Sequence, residues 1–216
     1  MDLFGYQDSD ISRNLLTRDG RVNYLGPISE LHSPTLCESL QREINWQPDR
    51  VTMFGKTIIT KRLYAWHGDA AYCYNYSGNK RIAEPMTDTI SFIKTIVEKC
   101  TNASFNACLL NLYHDGDEGM GWHADDEPEL EQNSPIASVS LGAERRFDFK
   151  HKETDERVSV MLEHGSLLVM NALSQKHWLH QLPKTKKVND SRINLTFRTL
   201  NDWTINSRDP QQSHSL

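Results

Sequence analysis

The sequence predicts a mainly β, α+β protein, an antiparallel sandwich or jelly roll with helices packed on one outer face. Two observations carry this. Helical periodicity is confined to the first half of the chain. After Cys100 the rhythm changes to period two, and a run of short strands follows, separated by turn residues. With 216 residues, 38% hydrophobic and 25% charged, the chain can bury one sizeable core.

The elements follow in order. Residues 1–25 show little periodicity and read as an extended arm. Its start, MDLFGYQDSD, is acidic and lacks the basic and apolar regions of a signal peptide. A helix follows, with Ser33 as N-cap, Pro34 at N1, and Leu36, Leu40 and Ile44 on one face. A second runs from Met86 to Cys100, with Ile90, Ile93, Val97 and Cys100 at helical spacing. Residues 51–81 between them are turn-rich and aromatic. The strands are 107–113, 136–142, 145–150, 157–162, 165–171 and 192–198. The tail, 201–216, is polar. No apolar run approaches the roughly 20 residues that span a bilayer. The four cysteines form no CxxC pair and read as reduced thiols.

Net charge is −5, a weak argument against a nucleic-acid binder. Its distribution says more. From Tyr113 to Gln132 there are acids but no Lys or Arg. Basic residues gather at Lys61-Arg62, Lys80-Arg81, Arg145-Arg146, Lys150 with Lys152, and Lys184 with Lys186-Lys187. A basic surface around an acidic pocket and an ordinary mixed surface both fit.

The acidic stretch contains GWHADDEP. As an EF-hand loop it fails, because Met120 stands where glycine is needed. As a transition-metal site it has His123 and Asp125 two apart, on one face of a strand. His164, His177 and His180 are candidate third ligands, and His164, in a turn, reads as structural. Two His and a carboxylate suit non-haem Fe(II), and zinc accepts the same set. RINLTFR adds a cosubstrate signal. Arg192, Asn194, Thr196 and Arg198 share one face, and Ile193, Leu195 and Phe197 the other. A solvent-facing strand would explain the pattern. Inside a jelly roll, however, two arginines need anions, and a dicarboxylate fits. Asn111 and Tyr113 share a face of their own strand.

NLYHDGDEGMGWHADDEP, IASVSLGAERRFDF, LEHGSLLVM, HWLHQLPK and RINLTFR, in this order, resemble the AlkB family of Fe(II)- and 2-oxoglutarate-dependent dioxygenases. The resemblance implies a double-stranded β-helix, with one dioxygenase domain over 26–200, a nucleotide-recognition lid at about 51–81 and a jelly-roll core at about 105–200. It implies Fe(II) on His123, Asp125 and His180, with O₂ and 2-oxoglutarate as cosubstrates. Asn111, Tyr113, Arg192, Asn194 and Arg198 match 2-oxoglutarate contacts, Arg198 at the distal carboxylate and Arg192 nearer the metal. In the lid, Trp66, Tyr74 and Tyr76 match aromatics that enclose an extruded base, and Arg62 matches a basic position beside the substrate. Asp126 and Glu127 match acids beside the methylated base. Lys61 and His67 depart from the family pattern, which expects Pro and Tyr there.

The implied activity is oxidative demethylation of 1-methyladenine and 3-methylcytosine, releasing formaldehyde, succinate and CO₂. The implied partner is DNA with a flipped methylated base, RNA being a second candidate. The protein is expected to act as an intracellular monomer, cytoplasmic or nuclear according to its source, and not at a membrane. The alternatives are a hydroxylase of protein or small molecules with the same chemistry, and a metal-stabilised binding module. Intact Arg192 and Arg198 weigh against the module.

Overall fold

The computed structural model describes residues 14–53, 56–76 and 79–201, and the side chains at 50–53, 56–58, 73–76 and 79–81 lie outside that description. The first half contains β1 (Val22–Pro27), α1 (Thr35–Glu43), β2 (Gln47–Met53), β3 (Lys56–Gly68), β4 (Cys73–Tyr76), β5 (Asn79–Ile82), β6 (Glu84–Pro85) and α2 (Asp88–Thr101). The second contains β7 (Ala107–Tyr113), β8 (Met120–His123), β9 (Ile136–Gly142), β10 (Arg145–His151), β11 (Arg157–Leu162), β12 (Ser166–Met170), α3 (Ala172–His177), β13 (Trp178–Leu182) and β14 (Arg192–Arg198).

Among the described residues, β1-β12-β9-β14-β7-β3-β2 form a large sheet with β6 beside β3, and β11-β10-β13-β8 form a smaller one. Apart from the parallel β3–β6 pair, all pairings are antiparallel. This is the expected jelly roll. Alternation along β14 decides how its layers are used. Ile193, Leu195 and Phe197 join the core beneath α1 and α2, with Leu40, Ile90, Ile93 and Val97. Arg192, Asn194, Thr196 and Arg198 share a cavity with His180, Phe147 and Leu182 of the small sheet. A second core, around Phe149, Leu168 and Trp178, fills the remaining space.

Four expectations change. The α1 cap is Pro34, one residue later than expected, and Ser33 Oγ bonds Thr35 Oγ1 instead. In α2 the buried stripe is Ile90, Ile93, Ile96 and Val97, while Cys100 is exposed. The arm is woven in from Asn14, because Leu16 and Val22 are buried and β1 pairs with β12. Among the described residues, the segment 51–81 is mostly strand rather than turn, and its Leu63–Gly68 portion pairs with β7 inside the large sheet.

Candidate metal and cosubstrate site

His123 and His180 face each other across the β8–β13 pair, their rings 4.2 Å apart between centroids. His123 Nδ1 donates to the Gly121 carbonyl at 2.8 Å, which leaves Nε2 free to act as a ligand. The expectation that Asp125 is its same-face neighbour on a strand is not met, because β8 ends at His123. A loop carries Asp125 round, where Oδ1 lies 3.7 Å from His123 Nε2 and 3.9 Å from His180 Nε2. All three ligand atoms lie within 4.8 Å of one another. His164 is structural as expected. Its Nδ1 accepts from Gly142 N–H, so Nε2 donates to the His32 carbonyl. His177 stacks on His151, outside the cluster.

The protonation states of the cluster suit metal ligands. Burial pushes the Asp125 carboxyl up. The Arg198 guanidinium, 2.7 Å from Oδ2, and the two imidazoles outweigh it, holding the group down at about 2. Burial, then His123 and Arg198, push His180 down to about 3 against the pull of Asp125. The anionic carboxylate and neutral imidazole are the forms that bind metal.

The two arginines of β14 are reversed relative to expectation. Arg198, expected at the far carboxylate, pairs with Asp125 at the metal end. Arg192 lies at the other end, over the Tyr113 ring at 5.5 Å, with one nitrogen 2.9 Å from Ser140 Oγ. It is buried, and burial lowers its pKa to about 10. Its Nε has no hydrogen-bond partner among the described residues. A buried cation with an idle donor suits a carboxylate ligand, so the residues present fit both iron and 2-oxoglutarate. Asn194 lines the cavity, but its amide donates to Ser138 Oγ and the Val139 carbonyl, each at 2.9 Å. Asn111 lines it too, and its carbonyl oxygen accepts from Arg62.

The substrate residues are less gathered. Arg62, expected beside the substrate, is turned inward, buried between Asp49 and Asn111. Trp66 is buried with Tyr72, Ala83 and Leu109. The side chains of Tyr74 and Tyr76 lie outside the described residues. Asp126 and Glu127 line a cavity of about 700 Å³ that shares Asp125 and Arg198 with the site. Asp126 is exposed, 3.9 Å from Lys152 Nζ, and Glu127 is half-buried.

Sequence reasoning missed two contributors. Arg145, counted among the basic surface clusters, is buried and donates to the carbonyls of Asp115, Glu118 and Pro183. That clamps the acidic loop before β8. Gln175 of α3 accepts from the Asp125 N–H at 3.0 Å. The polar cap of α3, Asn171 with Ser174, was the one available signal.

The family model of the 2OG-Fe(II) oxygenase superfamily matches residues 22–198. DNA oxidative demethylase ALKBH2 of Mus musculus is 42% identical over 199 residues, covering 87% of this chain and 83% of that protein. The chain is a 2OG-Fe(II) oxygenase of the AlkB family. ALKBH2 of Homo sapiens is 41% identical over 176 residues, 76% of this chain and 67% of the relative. Alpha-ketoglutarate-dependent dioxygenase alkB homolog 3 of Bos taurus is 35% identical over 178 residues, covering 77% and 61%. The structure of OsALKBH1 superposes with a TM-score of 0.56 at 17% identity, over 85% of this chain and 99% of that one, which speaks to the fold alone. As an AlkB-family dioxygenase the protein uses Fe(II), 2-oxoglutarate and O₂. Among the described residues no helix is long and apolar enough to cross a membrane.

Proposed function

We propose that this AlkB-family protein is an oxidative demethylase of alkylated nucleobases, acting on 1-methyladenine and 3-methylcytosine in DNA, with RNA as a second substrate to be tested. The reading is carried by one observation. A His–Asp–His cluster shares a cavity with a buried arginine whose Nε is idle. The relatives named DNA oxidative demethylase support the substrate class over hydroxylation of proteins or small molecules.

His123, Asp125 and His180 would hold the iron, and Arg192 would take a carboxylate of 2-oxoglutarate over the Tyr113 ring. Bound there, iron and 2-oxoglutarate would supply the oxidation of the N-methyl carbon by O₂, with CO₂, succinate and, from the base, formaldehyde as products. The chain's own residues do the rest. Arg198 fixes the Asp125 carboxylate. Asn111, held by Arg62, and Asn194, held by β9, keep fixed amides in the cavity. Phe147, 5.4 Å from the His180 ring, helps to keep the site dry. Asp126 and Glu127 put carboxylates beside the site, where they favour a cationic methylated base over a neutral one. Trp66, Tyr74 and Tyr76 are the aromatics assigned to the extruded base. The working unit is one domain, from β1 to about Leu200, acting as a monomer inside the cell where nucleic acid is found.

The test is succinate release with and without methylated oligonucleotides, across both lesions in DNA and in RNA. Stimulation by methylated nucleic acid is expected, and His123→Ala, Asp125→Ala and His180→Ala should each abolish it. Stimulation that is equal with unmethylated oligonucleotides would contradict the substrate assignment.

A further inference from the structure

Asp125 is the one member of the His–Asp–His cluster outside a strand, because β8 stops at His123. Its backbone N–H therefore lacks a ladder partner. It is satisfied by a side chain far away in sequence: Gln175 Oε1 accepts from it at 3.0 Å, in a buried contact. Gln175 is 4% exposed, and its amide nitrogen is turned away, 3.5 Å from Met170 Sδ. The carboxamide thus presents its acceptor to the Asp125 loop and its donor to a soft sulfur.

Gln175 is itself anchored. Helix α3 is capped by Asn171, whose Oδ1 accepts from Ser174 N–H and from Arg21 N–H, each at 3.0 Å. Ser174 Oγ donates to the Arg21 carbonyl at 2.9 Å. Lys152 ties the same two segments from outside. Its ammonium donates to the Gln175 carbonyl at 2.9 Å and lies 3.9 Å from Asp126 Oδ2.

We propose that Gln175 is a positioning residue for the metal ligand Asp125. Its side-chain oxygen holds the loop after β8 so that the carboxylate stays within reach of both imidazoles and of Arg198. A ligand on a free loop would lose entropy each time the metal bound, and a buried N–H without an acceptor would pull the loop elsewhere. The proposal rests on the reading of His123, Asp125 and His180 as the metal site.

The test is Mn(II) binding to the full chain without O₂, followed by the electron paramagnetic resonance of free Mn(II). Gln175→Met removes the acceptor and keeps the length. It is expected to weaken Mn(II) by about 10- to 100-fold, as for groups that orient a metal ligand. Gln175→Glu restores an oxygen at the same reach and should bind within about threefold of the parent. Wild-type affinity in Gln175→Met, with binding abolished in Asp125→Ala, would overturn the positioning role and leave the metal site standing. Equal weakening in the Met and Glu variants would also overturn it. Undiminished binding in Asp125→Ala would overturn the metal site and the inference with it. Should Gln175→Met fail to fold, amide hydrogen exchange of the wild-type protein decides: protection at Asp125 N–H supports the contact, and exchange at the free-peptide rate refutes it.

Discussion

Arg192 and Arg198 stand on one face of β14 and meet opposite ends of one cavity. Arg198 pairs with Asp125, whereas Arg192 keeps a buried, idle Nε over Tyr113. Arg192→Met is therefore expected to weaken 2-oxoglutarate binding by about 2–5 kcal/mol with metal affinity unchanged. Titrating 2-oxoglutarate into Mn(II)-loaded protein measures this, and an unchanged affinity would move the anchor elsewhere. Burial lowers the His180 pKa from 6.5 to about 3. Between those values the unfolded chain binds a proton that the folded chain does not. The metal-free protein therefore loses stability as pH falls from about 6.5 towards 3, by at most about 1.4 kcal/mol per pH unit from this group. Urea melts at several pH values should show a shallower acid slope in His180→Phe, and an identical slope would mean that the ring is solvated. Glu127→Gln should keep metal and cosubstrate binding and lower kcat/KM more on cationic lesions than on neutral ethenoadenine, by about 1 kcal/mol. Equal losses on both would leave Glu127 a structural role. At this scale the gathering of His123, Asp125 and His180 was legible from HxD and a later histidine, and the shared face of Arg192, Asn194, Thr196 and Arg198 from strand alternation, whereas the loop that carries Asp125 was not. Which arginine meets the metal was not. Strand alternation states the face of a residue but not which end of the strand abuts the neighbouring sheet.

The strands β7, β9, β10, β11, β12 and β14 lie where period-two patterning put them, because each buries at least one face and slippage by one residue would turn it outward. Several elements escaped, β3 and α3 among them. In β3, Lys, Arg, His and aromatic residues mask an ordinary sheet strand, since Arg62 and His67 are buried with partners rather than exposed. The six residues of α3 are too few to display a helical period. That short helix depends on its cap. Asn171→Ala removes one acceptor shared by Ser174 N–H and Arg21 N–H, and should cost about 1–2 kcal/mol. Chemical denaturation gives the value, and a change under about 0.3 kcal/mol would show that water replaces the cap. A Cβ on Gly116 would lie 2.2 Å from the Thr185 carbonyl oxygen, so the glycine serves close packing of two loops rather than ion binding.

For the molecule as a whole, the jelly roll explains why so much polar chemistry is buried in one place. The inner face of the large sheet supplies Arg192, Asn194 and Arg198, and the small sheet supplies both imidazoles. Helices α1 and α2 cover the opposite face, so the outer core carries stability while the inner face is released for binding. Charge along the chain was a poorer guide at this scale, because Arg62 and Arg145 face inward and only the fold reveals it. By the proposed function, this protein removes N-linked methyl groups from nucleobases by iron and 2-oxoglutarate chemistry. The most direct measurement is the mass of an oligonucleotide carrying a single 1-methyladenine, before and after incubation with Fe(II), 2-oxoglutarate and O₂. Loss of one methyl group with one formaldehyde released is expected with the wild-type protein and not with His180→Ala. Unchanged oligonucleotide mass with the wild-type protein, under conditions where it converts 2-oxoglutarate to succinate, would contradict it.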